Sequence, residues 1–415
     1  MKIGIIGGGA SGMFLASMLN GYDVTLFEKN SKLGKKLLIT GNGRCNFTSN
    51  DFSDLSKIYN NEFASCIYKK YDNNDMINYL ISIGVEPKLE IHREIGYYYP
   101  NSNKSNSVYY CLLDKITNNN VNVLNNINIT SIFKINDKFI LNDQSNKKYD
   151  FDILVLSTGG NSYQNTGSTG DGYNFAKKLG HSIIDIKPGL TSLQIKNENL
   201  KDFVGVRVDG IVKFKNDNID FIEKGELQFN KNSISGIPIL NLSRYINRNL
   251  SNKSLNISID FYTNYKGNYE DKFNYLFELL KQRKNNICYK RINDFLCGFL
   301  PDEIGNYILK KSNVLNINIS DLSSKNLETI CENIINFNIE VSQSNNFDFA
   351  QITLGGINTS EIDNNTLESK IIKNLFFTGE VMDIDGKCGG YNLQLCYSTA
   401  KIVFKRLGEL YGKQL

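Results

Sequence analysis

The chain has 415 residues, of which 41% are hydrophobic and 22% charged, and its net charge is +4. That length suits roughly two or three domains with ample core, and so mild a charge argues against a nucleic-acid or anionic-membrane partner. No apolar run reaches the roughly 18 residues of a membrane span. Eight cysteines with no C-x-x-C pair, beside only two histidines, speak against a zinc site and fit free thiols in a reducing cytoplasm.

The first apolar residues belong to a strand, so no secretory leader is expected there. Lys2 to Ile6 is followed at once by Gly7-Gly8-Gly9-Ala10-Ser11-Gly12, an apolar stretch from Met13 to Leu19, and Asp23 to Glu28. This order predicts strand, tight turn, helix and strand. The G-x-G-x-x-G spacing falls on Gly7, Gly9 and Gly12. Gly7 allows the sharp turn, Gly9 lets backbone approach a pyrophosphate, and Gly12 lets the helix pack closely on the strand. Ala10 and Ser11 sit at the helix start, where free N–H groups and the positive dipole end favour phosphate. Glu28, about 20 residues on, ends the second strand where a carboxylate can accept from ribose hydroxyls.

Gly34 to Asn46, reading GKKLLITGNGRCN, predicts a loop dense in glycine and donors that suits a ligand with many oxygens; a surface turn is the simpler alternative. Helical spacing of Phe63, Ile67 and Tyr68, then Met76, Leu80 and Ile83, predicts two helices between 52 and 83. A polar loop from Asn101 to Ser107 precedes a helix from Val108 to Ile116. Short strands separated by Asn-rich turns follow from Val121 to Leu141. The apolar run within Asp152–Ser157 reads as a central parallel strand, ending in Thr158-Gly159-Gly160, another place for backbone to approach a cofactor. Asp171 or Thr169 could cap a helix from Tyr173 to Leu179, and His181 reads as a structural residue at a strand start.

From about Pro188 to Phe261 short β-like runs predict a separate, mostly β unit. Tyr269 to Ile334 is helical, and its basic run at Lys281, Arg283, Lys284, Lys290 and Arg291 reads as a solvated face. From Phe349 the nucleotide-fold texture returns, with strands in Ala350–Ile357 and Asn374–Glu380, a loop from Asp383 to Asn392, and a last helix from about Leu393 to Leu410. A first domain is therefore interrupted and completed by the C-terminal part. The expected division is 1–188, 189–262, 263–345 and 346–415.

Six stretches, in order, resemble the BaiN-like, or aminoacetone-oxidase-like, family of NAD(P)/FAD-dependent flavoproteins over nearly the whole chain. They are Gly7–Gly12, Gly34–Asn46, Ser157–His181, Gly225–Gly236 (GELQFNKNSISG), Thr353–Ile357 (TLGGI) and Leu367–Gln394. The resemblance implies an α/β fold: a Rossmann-like FAD-binding domain formed by the N- and C-terminal parts, interrupted by a β-barrel-like insert and a small helical subdomain. It implies that Gly7, Gly9, Gly12 and Glu28 hold the ADP half of FAD and that Ile129 lies beside the adenine through its backbone. Thr158, Gly159 and Gly160 would pass near the pyrophosphate, and Gly379 and Glu380 would meet the ribityl and phosphate region. Arg44, Cys45 and Asn46, with Gly389, Gly390, Tyr391 and Asn392, would approach the isoalloxazine ring, and Lys36 is a further cofactor-binding candidate. Three positions depart from the family: Tyr97 stands where arginine is frequent, Gln164 where proline is usual, and Pro238 is shifted by one place.

The implied activity is FAD-dependent hydride transfer between a small organic substrate and flavin. It would use either NAD(P)H as donor, for enone reduction, or oxygen as acceptor, for amine oxidation. With no second G-x-G-x-x-G, an NAD(P)H site would be unconventional or transient. A helix beginning near Gly390 would direct N–H groups at the flavin's N1/C2 carbonyl edge, whereas a plain tight turn is the alternative. Tyr391, Tyr163 and Asp383 are proton-donor candidates by their place in the motifs. Cys45 and Cys388 lack the pairing of a redox dithiol. A flavoprotein acting on RNA and a flavin-binding protein without turnover remain the other classes. A small-molecule substrate, no nucleic acid, no membrane, no metal and a cytoplasmic location are expected, and oligomeric state is not legible.

Overall fold

The computed structural model describes residues 1–92, 95–196, 203–217, 219–249, 254–265, 268–342 and 346–412. The chain divides into two compact units, Met1–Gly189 with Asn346–Leu415, and Leu190–Asn345. The expected boundary at 345 lies outside the described residues.

In the first unit β1 (Lys2–Ile6), α1 (Ala10–Met18) and β2 (Asp23–Glu28) form the anticipated strand–turn–helix–strand. The helix starts at Ala10, with Gly9 as its N-cap. The glycine-rich segment holds a short helix, α2 (Lys35–Ile39), entered through left-handed Gly34. Next come β3 (Thr48–Ser49), α3 (Leu55–Ile58), α4 (Glu62–Lys70), α5 (Asn73–Ser82), β4 (Pro87–His92) and β5 (Ile95–Pro100). The helix α6 (Ser105–Asn118) begins three residues earlier than the apolar pattern, since its first turn is polar. After β6 (Asn122–Asn125), an antiparallel meander of β7 (Ile129–Ile135), β8 (Lys138–Asp143) and β9 (Lys148–Phe151) leads to β10 (Ile153–Leu156), buried throughout. The helix α7 (Asp171–Lys178) corrects the capping expectation. Left-handed Gly170 is its N-cap and no side chain caps it. Asp171 is instead the first helical residue and pairs with Lys29. The unit's first segment ends with β11 (Ile183–Gly189).

The second unit holds a closed six-strand barrel in the order β12 (Leu193–Ile195), β15 (Ser233–Ser235), β14 (Asp220–Asn230), β13 (Arg207–Lys215), β16 (Leu255–Asp260) and β17 (Phe337–Ser342). Two of its elements were not anticipated. The helix α8 (Ile237–Asn249) lies in a stretch expected to be mostly β. Its Ile239, Leu242 and Ile246 are buried at helical spacing, and Pro238 sits in its first turn, where a missing N–H costs nothing. The other is β17, which arrives after α9 (Tyr269–Asn286), α10 (Asp302–Lys311) and α11 (Ser324–Ile335) and closes the barrel by pairing with both β16 and β12.

The chain then re-enters the first unit as β18 (Ile352–Ile357), β19 (Leu375–Phe377) and α12 (Tyr391–Leu410). β19 pairs in parallel with β10, giving the sheet order β19-β10-β1-β2-β6. The C-terminal segment therefore completes the parallel sheet begun by β1, and α12 packs along α1. No described helix is long and apolar enough to cross a membrane.

Candidate cofactor-binding site

The three motif glycines differ in what demands them. Gly7 has φ +106, and a Cβ there would stand 2.4 Å from the Ser157 carbonyl oxygen. A Cβ on Gly12 would stand 2.0 Å from the Gly7 oxygen. Gly12 is required by the turn's own packing and Gly7 by the backbone that follows β10. A Cβ on Gly9 would meet nothing within 4 Å, so its bareness serves open space beside the start of α1. That helix has no side-chain cap and no acidic residue in its first turn, so its first N–H groups lack an internal acceptor. Glu28 is buried at the end of β2, where Oε2 accepts from the Gly8 amide at 3.0 Å. Its Oε1 accepts from the amide and side chain of Asn30 at 2.8 and 2.7 Å. About four acceptor positions exist on a carboxylate, so capacity for a hydroxyl donor remains.

A second turn lies at the start of α12. Gly389 and Gly390 have φ +128 and +91, and a Cβ on Gly390 would lie 2.8 Å from the Asn46 side-chain amide and from backbone atoms of Thr48. This 20-residue helix again has no side-chain cap and no acidic first turn. Asn392 braces the approach, accepting from the Gly386 amide at 2.8 Å and donating to the Gly386 carbonyl at 2.9 Å.

Residues 1–405 match the family described as the HI0933-like protein Rossmann domain. The chain belongs to that family. It is 30% identical to a 3-dehydro-bile acid delta(4,6)-reductase of Clostridium scindens, over 98% of this chain and 99% of the relative. It is 24% identical to a ribosomal RNA dihydrouridine synthase of Escherichia coli, over 95% of each. Among solved structures, a 3-ketosteroid delta1-dehydrogenase from Sterolibacterium denitrificans has the same fold, with a TM-score of 0.53 at 12% identity over 99% of each chain.

As a member of the HI0933-like family the chain is an FAD-dependent oxidoreductase, and the residues present fit that cofactor. Gly9 leaves a cradle that a methyl group would fill. Among the described residues the buried Thr158 Oγ1 finds no hydrogen-bond partner, beside left-handed Gly159. Gly160 is bare because a Cβ would stand 2.3 Å from Thr353 Oγ1 and 2.9 Å from Glu380 Oε1. Lys36 and Glu380, distant in sequence, form an ion pair at 3.0 Å. Glu380 also accepts from the Thr353 amide at 2.6 Å and from Ser162 Oγ at 3.2 Å, while Lys36 reaches Ser162 at 2.9 Å. Ser162 and Thr353 were missed by sequence reasoning, although both lie inside motifs that signalled the family. Gly379 brings this segment against α1, since a Cβ there would touch Ser11 Oγ at 2.7 Å; Ser11 in turn bonds the Thr378 carbonyl. Ala10 begins the same helix.

The remaining expected residues are engaged by their neighbours. Ile129 is buried at the start of β7, and the chain entering that strand is tied to β2 by Ile127 N–H donating to the Glu28 carbonyl at 3.0 Å. Arg44 grips both oxygens of Glu90 at 2.7 Å and lies over the Tyr99 ring at 4.2 Å. Cys45 is fully buried, and burial pushes its thiol up to about 12. The Asn46 amide nitrogen, in the orientation its surroundings require, donates to the Tyr98 and Thr48 carbonyls. The Tyr391 hydroxyl donates to the Asp51 carbonyl at 2.9 Å, within a cluster containing Phe52 and Tyr59. Tyr163 is held left-handed at φ +53, its carbonyl accepting from Thr166. The Asp383 carboxylate accepts from Asn60 at 3.3 Å. His181 is buried between Glu361 at 3.2 Å and Ser369 at 2.9 Å, a structural setting.

Proposed function

We propose that this protein reduces a carbon–carbon double bond conjugated to a carbonyl in a small organic substrate, with NAD(P)H as transient electron donor. The observation that carries this reading is the start of α12, where two positive-φ glycines present uncapped helix amides with no competing acid in the first turn. The names of two relatives support it, because reducing a delta(4,6) dienone and forming dihydrouridine both add hydrogen across such a bond.

FAD, when bound, supplies the two-electron carrier. The amides of Ala10, Ser11 and Gly12 would bind the pyrophosphate, with Gly7 and Gly9 shaping the turn and Glu28 accepting from the ribose. Ile129 would flank the adenine, Thr158 to Gly160 the pyrophosphate, and Gly379 with the Lys36–Glu380 pair the ribityl chain. Gly389, Gly390 and the amides of Tyr391 and Asn392 would face the flavin's pyrimidine edge. There the helix's positive end would favour negative charge. Arg44, Cys45 and Asn46 form the adjoining loop. Cys45 acts there as a neutral filler, since a thiol near 12 supplies no thiolate at neutral pH.

An RNA substrate is the second reading, favoured by the dihydrouridine synthase relatives. Against it, two members of the basic run serve the protein's own backbone. Arg283 donates to the Phe295 and Cys297 carbonyls and Lys284 to the Leu322 carbonyl. The test is the visible spectrum of the purified protein before and after anaerobic NADH or NADPH, followed by a conjugated enone. Bleaching by the nucleotide and recovery on enone addition is expected. A flavin that only oxygen and amines cycle would refute the reductase in favour of an oxidase, and tight, salt-sensitive RNA binding would favour the second reading.

A further inference from the structure

Residues 160–170 leave the end of β10, travel outward and return, since the Gly170 amide donates to the Gly160 carbonyl at 3.1 Å. Such a closed loop is a compact surface unit of its own. Its root is tied down: the Asn161 amide donates to Thr353 Oγ1 at 2.7 Å, and Lys36 Nζ donates to Ser162 Oγ at 2.9 Å. Its far side lands on the two residues that follow β2. Lys29 Nζ donates to Thr169 Oγ1 and to the Asp171 carboxylate, each at 2.5 Å, and Asn30 Nδ2 donates to the Thr166 carbonyl at 3.0 Å. Gly167 is bare for the same landing, because a Cβ there would stand 2.3 Å from Asn30 Nδ2. In the sheet β10 and β2 flank β1. The loop therefore bridges the C-terminal end of β1, where the Gly7–Gly9 turn and the first amides of α1 lie.

Asn30 is oriented for this contact. Its Oδ1 accepts from Lys35 Nζ at 2.9 Å, which sets the amide so that Nδ2 donates to Glu28 Oε1 at 2.7 Å as well as to the loop. One side chain thus holds both the loop and the carboxylate proposed for the ribose. All of these contacts join protein to protein, so breaking them costs the same whether the cradle is filled or empty. A loop fastened across the cradle slows a dinucleotide's entry and exit alike, whereas a group that touches the ligand acts chiefly on exit. We propose that residues 160–170 are a strap over the dinucleotide cradle, latched by Lys29 and Asn30, and that FAD enters and leaves when this latch opens. Lys29 and Asn30 are positioning residues for the strap. The inference rests on FAD occupying the cradle at Gly9 and the start of α1.

The Lys29 and Asp171 side chains are 25% and 38% exposed, so the pair is a light fastening that salt can loosen. The test compares wild type, Lys29→Met and Asp171→Asn, each as FAD-loaded protein and as apoprotein. Dissociation is read by chasing bound radiolabelled FAD with excess unlabelled FAD, and association by quenching of FAD fluorescence on mixing. Lys29→Met is expected to raise both rate constants roughly threefold to tenfold while Kd stays within about twofold. Asp171→Asn should act in the same direction by less, since its amide oxygen still accepts from Lys29. The double variant should exceed neither single effect by much, because both remove one contact. High salt should speed exchange in wild type and leave Lys29→Met nearly unaffected. Faster dissociation with unchanged association would make Lys29 a ligand contact and overturn the strap. Unaltered rates in both variants, with or without a fall in apoprotein Tm, would overturn it too. Wild-type protein that binds no FAD overturns the cradle reading beneath it.

Discussion

Replacing Gly9 by alanine separates the ligand's demand for glycine from the fold's. Gly9 lies at φ −74 and ψ −170, an extended conformation that alanine adopts without strain. The added methyl meets no protein atom within 4 Å. Loss of unfolded-state freedom stabilises by about 0.4–1 kcal/mol, and alanine's poorer N-capping offsets a similar amount. Apoprotein stability should therefore move by less than about 1 kcal/mol. The methyl, however, occupies the space through which a pyrophosphate would reach the α1 amides. Forfeiting one charge-assisted hydrogen bond costs about 1.5–3 kcal/mol, a rise in the FAD Kd of roughly 10- to 100-fold. Gly7→Ala is the contrast, with φ +106 and a 2.4 Å clash with backbone that should lower the Tm of the apoprotein itself. The assay is FAD titration by fluorescence quenching beside thermal melts of both apoproteins. A Gly9→Ala protein that binds FAD as tightly as wild type, or melts as early as Gly7→Ala, would refute the cradle.

Two further outcomes follow from buried titratable groups. Burial lowers the His181 pKa below 6.5 although Glu361 pulls it up, so the unfolded chain takes the proton first on acidification. Its stabilisation is complete above about pH 6.5 and falls as pH drops toward the folded value. For Glu361, burial raises the pKa but bonds from Ser182 and His181 more than offset it, leaving it below 4.5, which adds a further loss below that pH. The drop in Tm between pH 7.5 and pH 5.5 should accordingly be smaller in His181→Gln than in wild type; equal drops would remove His181 from the acid sensitivity. Among the thiols, burial pushes Cys45, Cys331 and Cys396 up to about 12, whereas Cys288 and Cys297 are exposed. Peptide mapping after brief labelling of the native protein should find Cys288 and Cys297 modified and the buried Cys45 and Cys331 only after unfolding. Rapid native labelling of Cys45 would contradict its enclosure.

The dinucleotide frame was legible because its signals are local. Gly12 is demanded by the Gly7 carbonyl within the motif, Gly7 turns at positive φ against the backbone just after β10, and the apolar β1 and β10 announce a buried parallel sheet. The helix α8 was legible too, in the spacing of Ile239, Leu242 and Ile246, but the short β runs around it masked that period. The strand β17 was not, since nothing inside Phe337–Ser342 says that a barrel opened long before needs one more strand.

The same division holds at the candidate site. By itself the sequence determined where backbone turns through positive φ, where a helix start lies bare and which acid ends β2, because these are signalled within short runs of neighbouring residues. Only the tertiary structure decided what the charged residues do. Lys36 meets Glu380 across 344 positions, Arg44 meets Glu90 across 46, and the Tyr391 hydroxyl meets Asp51 across 340. Such pairings depend on which surfaces packing brings together. A lysine, an arginine and a tyrosine that looked free to serve a ligand are therefore held first by the protein.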